Sequence, residues 1–73
     1  MIYSAEIING EVENDTIVIF DENDCLVNTV DRIWAEDEHD WAFQALNDLQ
    51  DIGFTARIQD LLNENIFPVY KLR

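Results

Sequence analysis

Over 73 residues, sixteen Asp and Glu side chains against four Lys and Arg give a formal charge of −12, which excludes direct binding to a phosphate backbone or to an anionic membrane surface. One cysteine, Cys25, excludes an internal disulfide or a cysteine metal cluster, and no run approaches the ~18 apolar residues of a helical membrane span. An apolar fraction of 48% that includes 11% aromatics excludes a disordered acidic tail and predicts a single compact acidic domain over residues 1–73, with a thin stability margin at this size.

The first third reads as strands. Ile2 to Ile8 mixes apolar and polar residues, Asn9-Gly10 signals a tight turn, and Thr16-Ile17-Val18-Ile19-Phe20 is β-branched and apolar, so the two segments are expected to pair antiparallel. Asp21-Glu22-Asn23-Asp24 breaks the pattern as a polar turn, and an extended segment resumes at Cys25-Leu26-Val27. The stretch 29–36 fits strand as well as an early helical stripe through Val30, Ile33 and Trp34.

From Asp37 the period changes to that of a helix over about 37–52, with Trp41, Ala45, Leu49 and Ile52 inward beside Ala42 and Leu46. Asp37, Glu38 and Asp40 suit its positive end, and Gly53 is placed to be the left-handed residue that closes it. A second short helix over about 55–63, capped by Thr55 and burying Ile58, Leu61 and Leu62, competes with a strand through Phe54, Ala56 and Ile58. Ile66 to Leu72 is extended, and Pro68 predicts that this strand is a sheet edge, leaving a homodimer through that edge as one route of association. The expected class is α+β: an antiparallel sheet of three to four strands on one main helix and a second short one.

Catalysis has little to work with. The chain holds one Cys, one His and one Ser; Cys25 reads as a small buried apolar residue and His39 stands in an acidic helix start, so no enzyme is expected. Asp21 to Asp24 resembles the start of a calcium loop, but the sixth and twelfth positions fall on Leu26 and Arg32, where that loop needs glycine and glutamate. No cofactor or metal is expected. With no basic and apolar leader at the N-terminus, a reducing cytoplasm is the expected compartment.

Twelve of the sixteen acids lie in the first forty positions, where Arg32 is the only cation. Glu11, Glu13 and Asp15 alternate, which on an extended backbone sets three carboxylates on one face about 6.6 Å apart. Glu36 with Asp40 and Asp48 with Asp51 repeat the effect at helical spacing without an interleaved cation. A charge of −12 also exceeds the magnitude of about 2–8 that keeps a small domain soluble. Negative charge on a rigid frame is what a nucleic-acid backbone presents, so the expected partner is a basic nucleic-acid-binding protein. The acids expected to meet it are Glu11, Glu13, Asp15, Asp21, Glu22, Asp24, Glu36, Asp37, Glu38 and Asp40. Phe43, off the inward stripe, is the candidate apolar anchor.

Ala56-Arg57-Ile58-Gln59-Asp60-Leu61-Leu62 followed by Phe67-Pro68-Val69-Tyr70 resembles the recognition helix and first wing strand of winged-helix DNA-binding domains, implying borrowed shape without DNA affinity, since its cations are Arg57, Lys71 and Arg73. The small, acidic, aromatic-containing character is similar to that of phage-encoded inhibitors of restriction or CRISPR systems and of nuclease-inhibiting immunity proteins. The expected function is a non-catalytic inhibitor that mimics the DNA backbone; the alternative is an antitoxin-like or immunity-like module that binds through aromatic anchors and uses its acids to steer.

Overall fold

The computed structural model describes residues 2–9, 15–31 and 35–72. In chain order the elements are β1 (Tyr3–Asn9), β2 (Asp15–Phe20), β3 (Leu26–Asp31), α1 (Glu38–Asp51), β4 (Phe54–Thr55), α2 (Ile58–Asn63) and β5 (Ile66–Lys71). The strands form one antiparallel sheet in the order β3-β2-β1-β5-β4. The α+β class is as expected, but the sheet has five strands where the sequence predicts three to four.

The additional strand is β4, whose two residues are too few to show a period. Gly53, at φ +90°, turns the chain back after α1 and lays Phe54 and Thr55 opposite Lys71 and Tyr70. The ladder continues one step further, with Leu72 N–H donating to the Gly53 carbonyl at 2.7 Å.

Alternation sorts the sheet into two faces. Inward lie Tyr3, Ala5 and Ile7 of β1, Ile17 and Ile19 of β2, Val30 of β3 and Phe67 and Val69 of β5, matched across the strands as Ala5–Ile19, Ile7–Ile17, Ala5–Phe67 and Ile17–Val30. Both helices cover this face: Ala42, Ala45 and Leu49 of α1 and Leu61 of α2 are buried against it. Ala42 and Ala45 are small enough to let α1 lie close, while Phe67, Ile17, Ile19 and Leu49 fill the interior, each contributing about 1.5–3 kcal/mol by leaving water. Tyr3 and Phe54 meet edge to face, ring centroids 5.2 Å apart, which ties the start of β1 to β4 and adds about 0.5–1.5 kcal/mol.

The helix ends follow local chemistry. Asp37 is the N-cap of α1, its Oδ1 accepting from Asp40 N–H at 2.8 Å. Asp40 answers by accepting from Glu36 N–H at 3.1 Å and from Gln44 Nε2 at 2.9 Å. Gly53 follows the last helical turn, as its position predicts. The second helix starts three residues later than expected: Arg57, not Thr55, is its N-cap and makes no side-chain cap bond, because Thr55 is already paired in β4.

Two further expectations are corrected. β5 is not the sheet edge, since it lies between β1 and β4, and a homodimer through that edge loses its premise. Pro68 fits there because Ile7 N–H bonds to the Asn65 carbonyl at 2.8 Å. That bond puts Ser4–Pro68 in the non-hydrogen-bonded set of β1–β5 pairs, so the missing donor points past the end of β4. Cys25 is exposed, not buried. It closes the β2–β3 turn, its N–H donating to Asp21 Oδ1 at 3.0 Å, and the strand begins only at Leu26. The winged-helix resemblance also stops at α2, since the strand after it enters the middle of the sheet instead of a wing.

Candidate functional site

Six of the ten carboxylates singled out by sequence gather at the two ends of β2, and Glu11 and Glu13 lie outside the described residues, as do Ile33 and Trp34. Asp15 opens β2 on its inward side, and six steps along the strand, about 20 Å at ~3.3 Å per residue, Asp21 begins the polar turn that carries Glu22 and Asp24.

The turn is built by one of those acids. Asp21 Oδ1 accepts from the N–H groups of Asn23, at 2.8 Å, and Cys25, at 3.0 Å, while Asp24 N–H bonds to the Asp21 carbonyl and Asp24 takes a left-handed conformation at φ 59°. Glu22 and Asp24 are exposed.

The opposite end of β2 is different in kind, because there the acids meet a cavity. Asp15 from the sheet and Asp37 and Glu38 from the start of α1 line a space of about 320 Å³ whose other walls are Trp41, Leu61 and Leu62. The two acid groups that sequence reading kept apart, the strand row and the helix start, are thus joined by the fold through Asp15. Glu36 lies just before that helix start, exposed, and Asp40 is turned to its capping duties. Trp41 is half-buried, and its indole Nε1 is buried with no hydrogen-bond partner among the described residues; an unmet N–H of that kind costs about 1–3 kcal/mol.

Such a cavity suits one chemistry. Three carboxylates can accept from a guanidinium or ammonium group, and the Trp41, Leu61 and Leu62 walls suit the aliphatic stem that carries it. Among the described residues no cation lines the cavity and no ion pair joins Arg57 or Lys71 to a carboxylate. Among the described residues no group of three or more His, Cys, Asp or Glu side chains is arranged to hold a metal ion.

Phe43 stands on the far side of α1 from the core, 57% exposed, separate from the cavity. Sequence reading missed Trp41, Leu61 and Leu62 as site residues because their spacing marks them as core. It also passed over Glu6, whose signal was to be the lone charge in an alternating strand. Glu6 lies on the other face of the sheet, where it lines a second cavity of about 280 Å³ with Ser4, Phe20, Asp24 and Ile66. No family model, curated protein or solved structure matches this chain.

Proposed function

We propose that the protein is a non-catalytic acidic inhibitor that seats on the nucleic-acid-binding surface of a basic target protein, its carboxylates standing where phosphates would. The observation that carries this reading is the convergence of Asp15, Asp37 and Glu38 on the cavity at Trp41, with no cation in its lining among the described residues. A target evolved to grip phosphates with Arg and Lys finds there carboxylate acceptors beside apolar walls that suit the stem of the same side chain. Glu22 and Asp24, about 20 Å away along β2, extend the anionic surface toward the neighbouring cations of such a target.

A second reading is favoured by Phe43, an exposed aromatic on a rigid helix: an antitoxin-like or immunity-like module anchored by that ring and only steered by charge. The two differ in what abolishes binding. Partners captured from a bacterial lysate on the immobilised protein are eluted with salt and challenged with duplex DNA. Mimicry predicts that DNA displaces the partner, that affinity falls steeply with salt, and that Asp15→Asn with Glu38→Gln abolishes capture while Phe43→Ala does not. A partner that DNA leaves in place and Phe43→Ala releases belongs to the second reading. Capture of no nucleic-acid-binding protein refutes the first.

A further inference from the structure

The outward face of the sheet carries a layer of apolar side chains that neither helix covers. Register places Pro68, Ser4, Phe20 and Leu26 side by side in one row across β5, β1, β2 and β3, and Ile66, Glu6, Val18 and Thr29 in the next. Ile66 is 64% exposed, Leu26 60% and Ile8, a row further on, 48%. All of the buried core cluster sits on the opposite face with α1 and α2, so the domain has helices on one side of its sheet and an apolar surface on the other, a layer short of the usual arrangement for such a surface.

Charge says what fits there. Glu6 stands in the middle of this face, half-buried, and its direct cross-strand neighbours are Val18 and Ile66, neither of which satisfies a carboxylate. Asp24 adds a second carboxylate at the rim of the cavity that Glu6, Phe20 and Ile66 line. A second copy of the chain is a poor occupant: it brings −12 against −12, and a two-fold contact centred on this face sets Glu6 toward its own counterpart. Edge addition of a strand is also poorly supported at β3, where Asn28 Oδ1 takes the Thr29 N–H at 2.8 Å. The four-strand rows are about 14 Å wide, enough for one helix of about 10 Å diameter.

We propose that this face docks an amphipathic, cationic helix of a partner protein, its apolar side on Phe20, Leu26 and Ile66 and a Lys or Arg on Glu6. The surface is distinct from the cavity at Trp41, so the proposal stands or falls independently of the inhibitor reading. The probe is a synthetic helical leucine–lysine peptide titrated into the full chain, followed residue by residue in amide NMR spectra. The expected result is shifts at Ser4, Glu6, Phe20, Leu26 and Ile66. Affinity should drop about tenfold on Leu26→Ser with Ile66→Ser and about threefold on Glu6→Gln, and Glu38→Gln should leave it unchanged. All three altered positions are exposed or half-buried, and retained dispersion of the amide spectrum confirms that each variant is folded. Equal binding by a peptide whose leucines are changed to serine, or by one whose lysines are changed to glutamate, overturns the proposal. So do shifts confined to Asp15, Glu38 and Trp41, and so do the same sheet-face shifts appearing with protein concentration alone, which would name a second copy as the occupant.

Discussion

Raising the ionic strength at neutral pH should stabilise this fold, the reverse of what a domain held by ion pairs does. Like charges sit close together at several places: Asp15 near Asp37 and Glu38 at one cavity, Glu22 and Asp24 in one turn, Glu36 bonded through its N–H to Asp40, and Asp48 one helical turn from Asp51. Two unit charges about 7 Å apart repel by about 0.6 kcal/mol in water, so four such sets store about 2.4 kcal/mol. Most of them are also close in sequence and still repel in the unfolded chain, which leaves roughly 1 kcal/mol as a folded-state penalty. Going from about 10 mM to about 150 mM NaCl shortens the Debye length from about 30 Å to about 8 Å and removes much of that penalty. At about 7 Å separation that screening removes about half of the penalty, so for a domain of this size the midpoint of thermal unfolding should rise by about 2–4 °C. Circular dichroism melts across a chloride series measure it. A midpoint that stays level or falls would mean that favourable ion pairs outweigh the repulsion, and the argument for an uncompensated anionic surface would fail with it.

Other consequences are local. Asp37→Ala should cost about 1 kcal/mol in urea unfolding, because Asp40 N–H loses its acceptor, and Asp37→Ser should restore most of it; equal stability of all three forms would remove the cap from the account. Asp51→Lys should raise stability by about 0.3–1 kcal/mol by placing a cation at the negative end of α1, whose last turn holds no basic residue; a loss would contradict this. Gly53→Ala meets nothing within 4 Å, yet φ +90° makes it cost about 1–2 kcal/mol through the backbone alone, and a D-alanine introduced there by chemical synthesis should be tolerated. Cys25 should react fully with an aromatic disulfide reagent in the native protein; labelling that waits for denaturant would place the thiol back in the interior.

The parts of the fold legible in the sequence are those with many residues voting the same way. Fourteen residues of α1 carry a 3.6 period, an acidic start and a glycine after the last turn, and each signal alone gives nearly the same boundaries. The β2 run from Thr16 to Phe20 is apolar enough to read as a strand without its neighbours. What escaped was short or depended on distant partners. β4 is a strand only because β5 lies beside it, and Pro68 looked like an edge marker because its missing donor does face away from β1, although β5 still gains a short neighbour two residues on. At the site, the carboxylates were visible as composition. Their meeting at Trp41 was not, since Asp15 and Asp37 are brought together by the return of α1 across the inward face.

The fold also divides the acids by what else explains them. Asp21 is accounted for by two backbone N–H groups of its turn, and Asp37 and Asp40 by the start of α1; a sequence under no demand except folding would keep them. Asp48 and Asp51 have no such reason, and they stand near the end of α1 where a carboxylate is unfavourable. Among the described residues Asp15 and Glu38 form none of the side-chain hydrogen bonds that hold the capping acids, although Glu38 suits the positive end of α1, and both face the same cavity, while Glu6 sits between two apolar neighbours on a face with no helix over it. Carboxylates that the fold leaves without such a structural role are the ones whose substitution tests for a partner. The same division decides which substitutions are informative: a loss of binding in Asp37 or Asp40 variants confounds cap and contact, whereas the same loss in Asp15, Glu38 or Glu6 variants assigns the contact to those carboxylates.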